Sequence, residues 1–123
     1  MSKRVLVAED DSAIRNLLLR VLGRAGFEIE TVTNGRDAIA RLSAQLYDVV
    51  VLDLMMPEAS GFDVLAWVRR EKPEVGKKLV IVTAAADRDT RQIAEEEVFA
   101  IIRKPFDIAD LVSCVRSVAE NAA

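Results

Sequence analysis

Five short apolar runs alternate with amphipathic stretches along the chain, and this alternation restricts the fold more than any other feature. The runs are VLVA (5–8), EIETV (28–32), VVVL (49–52), LVIV (79–82) and VFAII (98–102). Between them, apolar residues recur three or four apart, as on one face of a helix. The first such set is Ile14, Leu17, Leu18, Val21 and Leu22, closed by Gly23 and Gly26. Ala38, Ile39 and Leu42 form the second, and Phe62, Leu65, Ala66 and Val68 the third, ending before Pro73. Residues 87–96 carry the weakest pattern and are read as a fourth helix, and Ile108, Leu111, Val112 and Val115 mark a fifth. Asp11 or Ser12, Asn34, Ser60 and Asp107 stand where helix caps belong. Five strand–helix units predict an α/β fold with a five-stranded parallel sheet, doubly wound as (βα)5 and covered on both faces. VVVL and LVIV do not alternate and suit interior strands, whereas EIETV alternates and suits an edge.

Composition narrows the function. Of 123 residues, 51% are hydrophobic and 30% charged, a balance that can bury a core without cross-links. A net charge of −3 and a pI near 5.0 argue against nucleic acid bound directly by this chain. The absence of histidine removes Ser-His-Asp triads and most zinc sites. Cys114 has no second cysteine to pair with and reads as a buried thiol in a reducing cytoplasm. No apolar run approaches the roughly 20 residues of a membrane span, and the run after the basic start is too short for a signal peptide. Residues 1–123 read as a single cytoplasmic domain without linker or low-complexity tract.

In an open parallel sheet, ligands gather outside the carboxyl ends of the strands. Here the first strand delivers Glu9, Asp10 and Asp11 to that rim, and the third delivers Asp53 with the turn Met55-Met56-Pro57. The fourth delivers Thr83, followed by Ala84, Ala85 and Ala86, and the fifth delivers Lys104 before Pro105. Carboxylates this close repel by about a few kcal/mol per pair at an effective dielectric near 20. A divalent cation relieves that repulsion. All-oxygen donors without histidine favour Mg2+, with Mn2+ as a substitute. The rim therefore reads as an acid pocket for a metal-bridged phosphoryl group, with Thr83 donating a hydrogen bond to it and Lys104 pairing with its charge. Taken singly, each residue has a plainer reading: a strand-end carboxylate, a solvated helix start, a cap, a surface lysine. The combination carries the inference.

The acid pair Glu9-Asp10, LDLMMP around Asp53, Gly61, VTA at 82–84 and KPF at 104–106 occur in order and at familiar spacing. Over essentially its whole length the chain resembles the CheY-like receiver domain of bacterial two-component response regulators. The resemblance implies the flavodoxin-like strand order 2-1-3-4-5. It implies that Asp53 accepts a phosphoryl group from a sensor histidine kinase or a histidine phosphotransfer protein. Glu9, Asp10, Asp53 and the backbone carbonyl of Met55 would bind Mg2+, Thr83 and Lys104 would contact phosphoryl oxygens, and the Lys104–Pro105 bond would be cis. Phosphorylation would switch the surface of helix 4, strand 5 and helix 5 toward a downstream protein partner or a fused output domain. No enzyme in the ordinary sense is implied, only Mg-dependent self-phosphorylation and slow self-dephosphorylation at Asp53.

Three departures from the family pattern matter. Glu9 stands where an aspartate is common. Ile101 stands where many receivers carry an aromatic residue, and Phe99, on the same side of the strand, is expected to substitute in part. Glu97-Val98 replace a familiar Gly-Ala. Loop and helix shifts are therefore expected to carry the switch in place of threonine–aromatic coupling. Met55 and Ala85, two residues past Asp53 and Thr83, cannot orient a water, which predicts slow dephosphorylation. VFAII is apolar for an edge strand, so either flanking helices cover it or phosphorylation promotes a homodimer through it. Glu95-Glu96-Glu97 read as a solvated helix end, and Asp87, Arg88, Asp89 and Arg91 as surface charges on the output face.

Other functions fit less well. A phosphatase of the haloacid-dehalogenase type needs a second aspartate at position 55, where Met55 stands. A flavodoxin-like electron carrier needs a phosphate-cradling loop after the first strand. A phosphate-independent, receiver-like binding module would have lost the aspartate, an acid or the lysine, and all are present.

Overall fold

The computed structural model describes residues 2–84 and 87–121. Ala85, Ala86 and the side chains of Asp87, Arg88 and Glu95, which enter the readings above, lie outside the described residues. Strands β1 (Arg4–Ala8), β2 (Glu28–Val32), β3 (Val49–Leu52), β4 (Leu79–Thr83) and β5 (Ala100–Arg103) form one sheet in the order β2-β1-β3-β4-β5. All four pairings are parallel. Helices α1 (Ser12–Arg24), α2 (Gly35–Ala44), α3 (Gly61–Glu71), α4 (Asp87–Thr90) and α5 (Ile108–Asn121) follow the strands in turn. The strand order is the one expected.

Strand alternation divides the core in two. Val5, Val7, Val49, Val51, Val80 and Val82 pack toward Leu18 and Leu22 of α1 and Leu111 and Val115 of α5. Leu6, Ala8, Val50, Leu52 and Ile81 pack toward Leu42 of α2 and Val64, Leu65 and Val68 of α3. Interior strands buried on both faces explain the unbroken apolar runs. On α3 the core face uses Val64, while Ala66 is exposed. Among the described residues no helix is long and apolar enough to cross a membrane.

The helix starts follow local chemistry. Asp11 accepts the N–H groups of Ala13 and Ile14, so it is the cap and Ser12 is the first helical residue. Asn34 caps α2, and Ser60 with Asp63 forms a reciprocal capping box on α3. Asp107 accepts from Ala109 and Asp110 at the start of α5.

The chain between β4 and β5 departs from expectation. The fourth helix is a single turn, Asp87–Thr90, not 87–96. Its sequence offers Ile93 and Ala94 as the only apolar residues after Ala86, too few for a face whose burial would hold a longer helix. Buried Ile93 pins the following segment down, and a 3-10 turn spans Glu95–Glu97. Glu97 is no solvated helix end. It takes a forked ion pair from Arg69 of α3, with Nη2 at 2.7 Å, and its carbonyl lies where a Cβ on Gly76 would come within 2.1 Å. Gly76 belongs to a further 3-10 turn, Pro73–Lys78, which the apolar pattern did not mark.

Strand β5 is set two residues later than the run 98–102 suggests. Val98 turns into the core on the α3 side. Phe99, 39% exposed, donates its N–H to Leu79, while Ile101 pairs with Ile81 and Arg103 with Thr83. Phe99 thus lies at the far end of β4 from Thr83 and cannot stand in for the missing aromatic residue.

Candidate functional site

The site begins with main-chain pairing at the strand ends. The N–H of Glu9 donates to Val32 and that of Asp53 donates to Ala8, each at 3.0 Å. Both residues therefore leave the sheet at the same level. Carboxylate oxygens of Glu9, Asp10 and Asp53 lie within 4.8 Å of one another. Glu9 and Asp53 are 2% and 3% exposed, whereas Asp10 is open to solvent.

Lys104 closes the cluster. Its Nζ donates to Glu9 Oε1 at 2.7 Å and to Asp53 Oδ2 at 3.2 Å. Burial pushes the Glu9 carboxyl up to about 7, and the hydrogen bond and charge it shares with Asp53 add to that against the lowering bond from Lys104. Burial works against the Lys104 ammonium, but the bond to Glu9 and the charges of Asp53 and Glu9 outweigh it, so this lysine titrates above its ordinary range. One ammonium among three carboxylates leaves an electrostatic deficit that a hard cation with oxygen ligands would fill. The donor set fits such an ion.

The loop after β3 orients Asp53. Its Oδ1 accepts the N–H of Met55 at 3.1 Å, so main chain holds one oxygen and Lys104 the other. Gly61 donates its N–H to Leu54 at 3.0 Å. A Cβ there would sit 2.4 Å from the Asp53 carbonyl oxygen and 2.5 Å from the Leu54 Cα, both main-chain atoms. Gly61→Ala is therefore expected to lower stability by about 1–3 kcal/mol and to displace the Asp53 main chain. Urea denaturation and amide NMR shifts around Asp53 check the two effects. Glu58 and Ala59 adopt φ of 47° and 78°, and their carbonyls accept the N–H groups of Arg36 and Gly35 at the start of α2. Helix α2 thus holds the loop in a conformation that non-glycine residues rarely adopt.

Thr83 is fully buried at the end of β4, and its carbonyl accepts the Lys104 N–H at 2.9 Å. The Lys104–Pro105 bond is cis. Glu9, Asp10, Asp53 and Lys104 thus meet, Met55 supplies main chain beside Asp53, and Thr83 ends the neighbouring strand. Met55 turns its side chain outward, 59% exposed. The sequence reading missed Arg15, whose Nη1 donates to the carbonyls of Glu9 at 3.1 Å and Asp10 at 3.3 Å. Its only sequence signal is a basic residue one turn into the helix that follows the acid pair.

The family model of the response regulator receiver domain matches residues 5–116, and the chain belongs to that family. It is 36% identical over 120 residues to the transcriptional regulatory protein TcrA of Mycobacterium tuberculosis, covering 96% of this chain and 46% of TcrA. It is 29% identical over 121 residues to the transcriptional regulatory protein GltR of Pseudomonas aeruginosa, covering 98% of this chain and 50% of GltR. The chain thus spans half or less of these curated relatives. Among solved structures, the response regulator TrrA of Thermotoga maritima, in complex with Mg2+ and BeF, superposes with a TM-score of 0.81 at 31% identity, covering 94% of this chain and 98% of that one. The signal receiver domain of a histidine kinase from Syntrophus aciditrophicus gives 0.86 at 27% identity, covering 98% and 92%.

Proposed function

We propose that this chain, read as one receiver domain over residues 1–123, accepts a phosphoryl group on Asp53 from a sensor histidine kinase or a histidine phosphotransfer protein. The observation that carries this reading is the cluster of Glu9, Asp10 and Asp53 with Lys104 bonded to both buried carboxylates. An Asp53 carboxylate oxygen attacks phosphorus, the P–N bond to the donor imidazole breaks, and the nitrogen keeps the electron pair and later takes a proton. An acyl phosphate forms. Mg2+, held by Glu9, Asp10, Asp53 and the Met55 carbonyl, would offset charge on the transferring group. Lys104 moves from a carboxylate oxygen to a phosphoryl oxygen, and the Thr83 hydroxyl donates to another.

The new charge of roughly −1.5 to −2 then redistributes contacts around α4, β5 and α5. Ile101 in place of an aromatic residue favours a switch carried by loop and helix shifts. The greater length of the curated relatives supports action through a fused output domain or a downstream protein; a cytoplasmic location is part of the same proposal. A phosphorylation-promoted homodimer is a further part of the proposal, since Ala100, Ile101 and Ile102 remain partly exposed on the sheet edge. Light scattering with and without beryllofluoride reads it, and an unchanged monomer removes it.

Intact mass after incubation with acetyl phosphate tests the central reading. One added phosphoryl group that requires Mg2+ is the expected result. No adduct on folded protein with Mg2+ present would favour the phosphate-independent binding module. The outward Met55 side chain gives no group to orient a water, so the adduct is expected to persist for minutes or longer after donor removal. Loss within seconds contradicts that part.

A further inference from the structure

We propose that Arg15 is a positioning residue for the divalent cation, acting through the main chain of the acid pair. This rests on the metal reading above. Residues 9–11 form the short irregular turn between β1 and α1. Glu9 is tied by its N–H to Val32, by Oε1 to Lys104 and by Oε2 to the N–H of Asp11 at 3.3 Å. Asp10 is exposed, so the direction of its carboxylate depends on how its peptide is held. From one turn into α1, a single guanidinium nitrogen, Nη1 of Arg15, spans the carbonyls of both residues. Two successive carbonyls held by one donor fix two peptide planes, and with them the directions in which both side chains leave the backbone. The half-buried side chain of Arg15 ties the turn to the helix.

Charge and geometry give Arg15 opposite effects. Its charge beside three carboxylates repels a second cation, so by charge alone its removal tightens Mg2+ binding. As a group that orients metal ligands, its removal weakens binding, and supporting groups of this kind are commonly worth about 10–100-fold in metal affinity. The sign of the change therefore separates the two roles.

The test is an Mg2+ titration of wild type, Arg15→Met and Arg15→Lys at fixed ionic strength, followed by amide NMR shifts that also report folding. Methionine keeps helix propensity and removes both donor and charge; lysine keeps a donor and a charge. The expected result is a Kd about tenfold higher in Arg15→Met, partly recovered in Arg15→Lys, with unshifted amides outside the rim. An unchanged or lower Kd in Arg15→Met overturns the proposal while leaving the metal reading intact. Absence of Mg2+ binding by folded wild type overturns the metal reading itself, and this inference with it. If Arg15→Met loses its folded spectrum, Arg15→Lys decides: a Kd above that of wild type and below that of Asp10→Asn supports the positioning role, and a Kd equal to or below that of wild type overturns it.

Discussion

Asp53→Asn is expected to take up no phosphoryl group from acetyl phosphate under the conditions in which the proposed function has wild type gain one, and to be more stable than wild type in metal-free buffer. The first effect follows from chemistry. A carboxamide oxygen is too weak a nucleophile to displace the donor, and the isosteric side chain still accepts the Met55 N–H through its oxygen. The second follows from charge. Wild type brings three carboxylates within 4.8 Å of one another, and the substitution removes one like charge from beside buried Glu9. It also removes the hydrogen bond and the charge through which Asp53 holds the Glu9 carboxyl high, leaving burial as the main cause. Lys104 keeps its shorter bond, to Glu9 at 2.7 Å. Relief of one such repulsion is worth about 1 kcal/mol or more at an effective dielectric near 20, or about a few degrees in Tm for a chain of this size. Intact mass and thermal unfolding measure both effects. An adduct on the variant would move the nucleophile to another rim carboxylate.

Lys104→Met is expected to lose stability, by an amount that depends on pH. Removing one partner of a buried ion pair while leaving the other costs about 3–5 kcal/mol. Here Lys104 is the counter-charge for both Glu9 and Asp53. In metal-free wild type the Glu9 carboxyl sits at about 7 against an ordinary 4.5. Between those values the folded state binds more protons than the unfolded chain, so this group's contribution to stability falls as pH rises through that window. The lysine bond acts against the upward shift. Its loss pushes the Glu9 carboxyl higher still, so the decline continues further into the alkaline range. The deficit of the variant against wild type is therefore smallest near pH 4.5, where Glu9 is protonated in both and the lost Asp53 pairing remains as its pH-independent part, and grows by about 1 kcal/mol or more toward mildly alkaline buffer. Urea denaturation across that range reads it. A deficit that does not change with pH would place the loss in the packing of the lysine methylenes instead.

The sequence by itself determined the five strand–helix units, the caps at Asn34, Ser60 and Asp107, and the level at which each chemical residue leaves its strand. These depend on short-range periodicity and on side chains that bond to main chain two or three residues away. A parallel sheet then sends every strand's carboxyl end to one rim, so Glu9, Asp10, Asp53, Thr83 and Lys104 could be assembled without coordinates. Only the tertiary structure decided how far the fourth helix runs, where β5 begins, and which side chains meet across the fold. The segment after β4 lacks an apolar face, so its conformation is settled by burial of Ile93 and by the Arg69–Glu97 pair, which ties it to α3 on the same face of the sheet. The register of β5 against β4 puts Phe99 beside Leu79, a long-range pairing that no local pattern encodes. The need for glycine at Gly61 and Gly76 arises where another stretch of main chain arrives within a Cβ's reach. The grip of Arg15 on the acid pair depends likewise on the angle at which α1 leaves the sheet, and that angle is set by the packing of Leu18 and Leu22 beneath it.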